Sequence, residues 1–476
     1  MATSLPPLEE AFAGFLARYP AYARTQSLDT LRATEYRRLD ESGHTYLDYT
    51  GASLYGDFQL RAHLALLGRG VFGNPHSSSP SSDAATRLIE QTRTAVLEFF
   101  NASSGEYAVV FTPNATGALK LVGEAYPFSA GSRYLLTFDN HNSVNGIREY
   151  ARARGAEITY VPLTLPELGA SEAFLDAQLA SPPREGPGLF AYPAQSNFSG
   201  VQHPLEWIDR AHRFGWDVLL DAAAFVPTNR LDLARWKPDF VAISFYKMFG
   251  YPTGVGCLLA RRDALARLKR PWFAGGTITV ASVRGDRYFL APGEAAFEDG
   301  TPNYLAIPAV EIGLRHLMAI GIETIHDRVQ SLTGWTIARL LAIEHGTGVP
   351  LVRVYGPTET AGRGATIAMN FYDPNGRFID HRTVEAAAGR ANISLRTGCF
   401  CNPGAGETAL ELSRSDLIGC FNRTGSRMTT DDLRRCIDGR STGAVRISFG
   451  VASNFADAYR FVQFAETFRD AAGGDR

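Results

Sequence analysis

An α/β protein is the fold class the sequence predicts: a mostly parallel sheet of seven strands, followed by a smaller α+β unit. Three observations carry that prediction. Seven short apolar runs recur between residues 107 and 260, separated by helix-like segments. These runs are continuous rather than alternating, as strands buried on both faces must be. Beyond about residue 305 the texture changes to long amphipathic helices and then to isolated strand-like runs.

In order, the apolar runs are YAVVFT (107–112), RYLLTF (133–138), EITYVPL (157–163), GLFAYP (188–193), DVLLDAAA (217–224), DFVAISF (239–245) and VGCLLA (255–260). Ahead of them, SDAATRLIEQTRTAVLEFFNAS reads as a helix capped by Ser82, with Leu88, Thr92, Val96 and Phe99 on one face. IPAVEIGLRHLMAIG and IETIHDRVQSLTGWTIARLLAIEHG read as two long helices, and ATIAMNFYDP and AVRISFG as strands of the smaller unit. Gly404 to Gly443 is polar and interrupted, an excursion from that unit. The expected division is a segment 1–50 packing on the small domain, a large domain 51–305, and a small domain 306–476 that carries the cysteine loop.

The 476 residues include 47 basic and 49 acidic side chains, for a formal net charge of −2. No broad basic field exists, which weighs against nucleic acid as a partner. Five cysteines are too few and too scattered for a disulfide scaffold, and their odd number fits a reducing compartment where thiols stay free. MATSLPPLEEAFAGF has no basic segment leading into an apolar run, and no stretch is long and apolar enough to span a membrane. The expected location is the cytoplasm.

Chemistry gathers where strands end. Lys247, in ISFYKMFGYPTGVG, follows a buried strand, so its amine is either desolvated and nucleophilic or snorkels to water. Asp221 ends the preceding strand; it either caps a helix or neutralises a buried cation. A lysine amine and a carboxylate so placed are what pyridoxal phosphate (PLP) enzymes use to make the cofactor an electron sink. In FTPNATGALKLVGEA, Ala115 and Thr116 open a helix whose N–H groups suit a phosphate, with Ser244 and Tyr246 able to donate to the same group. His141, in FDNHNSV, is either a ring to cover the pyridine or a satisfied surface histidine. ISLRTGCFCNPGAGE places Cys399 and Cys401 in a glycine-rich loop. The loop alone permits half a metal site, half a disulfide, structural thiols, or a mobile arm with one reactive thiol. No second Cys/His pair at metal-like spacing appears, so no metal is expected.

The motifs YLDYTGASLYG, GNPHS, FTPNATGALKLV, FDNHNSV, SFYKMFGYPTGVG, FEDGTPNYLAIPAV and LRTGCFCNPGAGE occur in this order between about residues 45 and 455. Together they resemble the class V aminotransferase-fold PLP enzymes, and most closely the cysteine desulfurase domain of molybdenum cofactor sulfurases. The resemblance implies the PLP-dependent transferase fold (fold type I). It implies Lys247 as the Schiff-base amine, Asp221 on the pyridine nitrogen and His141 on the ring. Asn197 falls near the cofactor or the substrate carboxylate, and Ala115, Thr116, Ser244 and Tyr246 on the phosphate. Thr301 resembles a threonine that reaches the neighbouring subunit's phosphate, which implies a homodimer. Arg446 falls on the substrate carboxylate and Cys401 on the persulfide carrier, while Arg396, five positions before Cys401, either lowers the pKa of that thiol or touches the substrate.

The implied activity converts L-cysteine to L-alanine and passes sulfur to an acceptor, a protein or the molybdenum cofactor. A selenocysteine lyase, epimerase or aminotransferase on the same fold, or a non-catalytic PLP-fold binding protein, are the alternatives. Two departures stand out: Ala224 where desulfurases carry Gln or His, and Tyr246 where many relatives carry His. Full-length eukaryotic sulfurases continue into a second domain, which is expected to be absent here.

Overall fold

The computed structural model describes residues 5–422, 427–437 and 443–471. Helices α1 (Leu8–Arg18) and α2 (Ser27–Glu35) open the chain and lie against its C-terminal half. Two buried guanidinium groups hold them there. Arg32 of α2 meets Asp457 at 2.5 Å and Asp40 at 2.8 Å. Asp29 grips the fully buried Arg328 at 2.6 Å, and Arg328 also lies 4.1 Å from the centre of the Tyr22 ring. Removing either acid would strand a buried charge.

Helix α3 (Pro80–Phe99) starts earlier than the expected Ser82 cap. Ser79 is the cap: its Oγ accepts from the Ser82 amide, and Pro80 fills the first helical position, where a missing N–H costs nothing. Ser82 instead lies on the buried face with Ala85, Ile89, Thr92 and Val96, while Leu88 and Phe99 sit at its margin.

All seven predicted strands form: β1 (Tyr107–Thr112), β2 (Arg133–Thr137), β3 (Glu157–Val161), β4 (Gly188–Pro193), β5 (Trp216–Asp221), β6 (Phe240–Ser244) and β7 (Gly256–Arg261). They make one sheet in the order β1-β7-β6-β5-β4-β2-β3. The run from β6 to β3 is parallel throughout, and β7 alone is antiparallel to its neighbours β1 and β6. Apolar clusters cover both faces of this sheet, which is why its strands lack polar alternation. Helix α4 (Ala115–Ala125) leaves β1 through Asn114, whose side chain accepts from the Gly117 amide at 3.0 Å.

Helices α5 (Ile307–Ile320) and α6 (Ile322–Leu341) lead to a second, five-stranded sheet. Its strands are β8 (Val352–Tyr355), β9 (Thr366–Tyr372), β10 (Phe378–Ile379), β11 (Arg396–Gly398) and β12 (Ala444–Ser448), ordered β8-β9-β12-β11 with β10 on β9. Between β11 and β12 lie α7 (Pro403–Ala409), α8 (Arg414–Phe421) and α9 (Thr430–Cys436), and α10 (Phe455–Glu466) ends the described chain. The expectation that every thiol stays free is corrected here. Cys420 of α8 and Cys436 of α9 form a disulfide, their Cα atoms 5.7 Å apart, while Cys257, Cys399 and Cys401 are free. The linear spacing of the pair does not reveal that the chain folds one helix back on the other.

After β6 the chain makes a single helical turn, Phe245–Phe249, and reverses at Gly250 with φ +78°. A Cβ at Gly250 would lie 2.4 Å from the backbone carbon of Leu54. Gly250→Ala therefore combines a left-handed penalty with a backbone clash, and is expected to cost about 2–4 kcal/mol. Urea unfolding should show a lower midpoint at unchanged slope; an unchanged midpoint would contradict this account.

Candidate active site

Five carboxyl ends of the large sheet deliver residues to one cavity of about 130 Å³. β1 leads to Ala115 and Thr116, β2 to His141 and Ser143, β4 to Gln195 and Asn197, β5 ends on Asp221, and β6 leads to Ser244, Tyr246 and Lys247. The antiparallel β7 contributes no functional side chain to this rim because its carboxyl end points the other way. Eight of the residues singled out from the sequence thus share one wall. Cys401, Arg396, Arg446 and Thr301 stand outside it.

Lys247 has no hydrogen-bond or ion-pair partner among the described residues. Burial lowers its pKa from the ordinary lysine value, opposed by the charge of Asp221. Asp221 is itself buried, and its Oδ1 accepts from the Ala223 amide at 3.1 Å. That oxygen caps the turn that follows β5, not a helix, and no hydrogen bond to Asp221 Oδ2 is found among the described residues.

His141 caps its own turn, its Nδ1 accepting from the Ser143 amide at 3.1 Å. The neutral ring consequently carries its proton on Nε2. Ser244 Oγ accepts from the Ala115 amide at 2.9 Å, tying the start of α4 to β6. Thr116 Oγ1 lies 2.8 Å from Ser143 Oγ. The N-terminus of α4 and these three hydroxyl groups form a cradle suited to a phosphate. An unpaired amine, an open carboxylate and such a cradle around one cavity fit pyridoxal phosphate.

The cysteine loop is less free than its glycines suggest. Cys399 and Cys401 are exposed, but the loop between them and α7 is tied to the large domain. Cys401 O accepts from the Asn142 amide at 2.7 Å, and Phe400 O from Asn197 Nδ2 at 2.7 Å. Asn402 Nδ2 donates to Asp139 O at 2.6 Å and to Asn197 Oδ1 at 2.9 Å. Phe400 and Cys401 both hold φ +54°. Consecutive left-handed residues with side chains cost about 1–2 kcal/mol each, a strain these bonds offset. Asn197 lines the cavity as expected, yet its amide serves this loop on both sides.

Arg446 is buried on β12; it donates to Asn197 O at 2.8 Å and to Asp48 Oδ1 at 3.0 Å, and lies 4.7 Å from the Phe400 ring centre. Its Nε is buried without a partner. Arg396 was expected beside Cys401 or the substrate; its guanidinium is held by Asp48 Oδ2 at 2.6 Å. Thr301 is exposed, accepts from Asn74 Nδ2 at 3.1 Å, and lines a separate depression with Lys120 and Glu298. Sequence reasoning missed Asp48, Ser143, Gln195 and Asn402. Asn402 alone carried a local signal, an Asn before Pro at a helix start.

The chain belongs to the aminotransferase class-V family, whose model matches residues 45–461. Among individual proteins it is similar to the molybdenum cofactor sulfurase of Solanum lycopersicum, 38% identical over 96% of this chain and 59% of that one. The Homo sapiens molybdenum cofactor sulfurase is likewise 38% identical, over 94% and 52%. The chain thus spans little more than half the length of these relatives. A cysteine desulfurase from Thermococcus onnurineus NA1 shares the fold, with TM-score 0.75, 23% identity, and coverage of 92% and 97%.

Burial lowers the pKa of His141 from its ordinary value of 6.5. As pH falls, the unfolded chain takes up this proton first, so the contribution to stability declines from 6.5 downward toward the folded value. Protonation also removes the acceptor that the Ser143 amide uses. Urea unfolding of the cofactor-free protein at about pH 7.5 and about pH 5.5, which bracket the ordinary imidazole value, should show His141→Gln losing less stability across the interval than the unaltered protein. Equal losses would contradict the assignment.

Proposed function

We propose that the protein is a PLP-dependent cysteine desulfurase of the molybdenum cofactor sulfurase type, passing persulfide sulfur through Cys401 to an acceptor. The observation that carries this reading is the tie between the Cys401 loop and the rim of the cavity that Lys247 lines. The Asn142 amide donates to Cys401 O, and Asn197, which lines that cavity, donates to Phe400 O, each at 2.7 Å.

When bound, PLP would supply an electron sink; Asp221 would pair with its pyridinium, and Ala115, Thr116, Ser244 and Tyr246 would hold its phosphate. Arg446, with its free Nε–H, binds the α-carboxylate of L-cysteine. The desolvated Lys247 amine holds and returns the proton at the substrate Cα. His141 covers the ring and, with its proton on Nε2, donates toward the substrate. The Cys401 thiolate attacks the substrate sulfur: an S–S bond forms, the Cβ–S bond breaks, and its electron pair stays on Cβ, which takes a proton. Alanine departs, and one sulfur remains on Cys401. The acceptor is a protein or the molybdenum cofactor.

The same reading takes the protein as a homodimer in which Thr301 serves the neighbouring subunit's phosphate. Two facts support it. Thr301 lines a depression separate from the lysine cavity, and near it in the chain a hairpin of strands Ile278–Ser282 and Arg287–Leu290 exposes Val280 (59%) and Phe289 (63%). Apolar side chains this exposed on a hairpin mark a surface that another chain covers.

Incubation with L-cysteine should yield alanine and a one-sulfur mass increase on the Cys399–Cys401 peptide. Cys401→Ala should abolish both sulfur gain and transfer while the cofactor's visible absorbance remains; loss in Cys399→Ala with full transfer by Cys401→Ala would reverse the assignment. Sedimentation equilibrium should report a dimer that Phe289→Asp dissociates, and a monomeric unaltered protein would refute the two-chain site.

A further inference from the structure

Among the described residues, Asp48 alone hydrogen-bonds through its side chain to both arginines assigned to the substrate. Its Oδ1 accepts from Arg446 Nη2 at 3.0 Å, and its Oδ2 accepts from Arg396 Nη2 at 2.6 Å and Nε at 3.0 Å. Two guanidinium groups and one carboxylate leave a single net positive charge, matching one incoming monoanion. The carboxylate is buried, so its charges are not screened as a surface pair would be.

The surroundings are built to hold this carboxylate in place. The Gly51 and Ala52 amides donate to the Asp48 carbonyl at 2.9 and 3.0 Å, closing a turn over it. A Cβ at Gly51 would lie 2.5 Å from Asp48 Oδ2. Opposite, Arg446 is gripped from two directions, by Asp48 on Nη2 and by the Asn197 carbonyl on Nη1, with its plane near the Phe400 ring. The Nε edge is the part left without a partner. A guanidinium that clamps a carboxylate must be fixed in plane and azimuth before the ligand arrives. The Asp48 contact performs that fixing.

We propose that Asp48 is a positioning residue for substrate-carboxylate recognition, acting through Arg446 and tying Arg396 to the same point at the mouth. The inference rests on the reading that Arg446 binds the α-carboxylate of the substrate. It predicts that geometry, rather than charge alone, sets the affinity, so moving the carboxylate is as harmful as neutralising it.

The test uses the PLP-loaded enzyme with two probes: L-cysteine in steady-state turnover, and cysteamine, which keeps the amine and thiol but lacks the carboxylate, in a spectral titration. Asp48→Asn is expected to raise KM for L-cysteine about tenfold and to move kcat less than about twofold, with half-saturation by cysteamine within about twofold of the unaltered enzyme. Gly51→Ala keeps the charge and displaces it, and should give the same split. Equal weakening toward both probes would reveal a merely structural role, and an unchanged KM in Asp48→Asn would also overturn the proposal. If the unaltered, cofactor-loaded enzyme neither turns over nor responds to L-cysteine, the functional reading itself fails, and the role of Asp48 falls with it.

Discussion

A half-buried lysine amine with no hydrogen-bond or ion-pair partner among the described residues is the constraint on which this molecule turns. Burying an amine is unfavourable unless a charge or a ligand compensates, and here the nearest compensation is Asp221, at the end of the adjacent strand. That arrangement exists only because β5 and β6 lie parallel and in register, with Asp221 opposite Ala242. The parallel sheet in turn requires helices on both faces, and those helices set the apolar character of the strands. The electrostatic demand of one side chain and the topology of the whole large sheet are therefore two statements of the same fact.

The fold was largely legible in the sequence because its signal is local. Continuous apolar runs bounded by turn residues located all seven central strands, with ends displaced by up to three residues, as where the run 217–224 ends as a strand at Asp221. Local signals also misled: Ser82 was expected as a cap, but Ser79 followed by Pro80 serves that role, since the first proline of a helix outweighs a serine further in. The residues brought to the cavity were legible for a similar reason, as each sits just past a strand end. What was not legible depends on chain segments far apart. Asp48 meets Arg446 and Arg396 across most of the chain's length, and Asn402 meets Asp139 and Asn197 across 263 and 205 positions. No periodicity or spacing encodes such encounters. The Cys420–Cys436 bridge belongs to the same class, a contact decided by how two short helices fold back.

One segment of the chain bonds to both sheets. Residues 45–53 pass between them: Thr45 and Tyr46 pair with Ile393 and Ser394, Thr50 Oγ1 meets Thr366 Oγ1 at 2.6 Å, and the Ser53 amide donates to Tyr246 O at 3.2 Å. A short N-terminal stretch thereby touches the lysine turn, the second sheet, Arg446 and Arg396. The buried Arg32 and Arg328 pairs fasten the helices that precede it.

The left-handed pair Phe400–Cys401 is pinned through its two carbonyls, by the Asn142 amide and by Asn197 Nδ2, and Asn402 is bonded to Asp139 and Asn197 next to it. A thiol mounted this way has a short leash. On the proposed reading, sulfur loaded onto Cys401 would not be ferried across a wide gap, and the recipient would bring its own receiving atom up to the rim. The contours of that rim, more than the reach of a moving arm, would then decide which recipients are served.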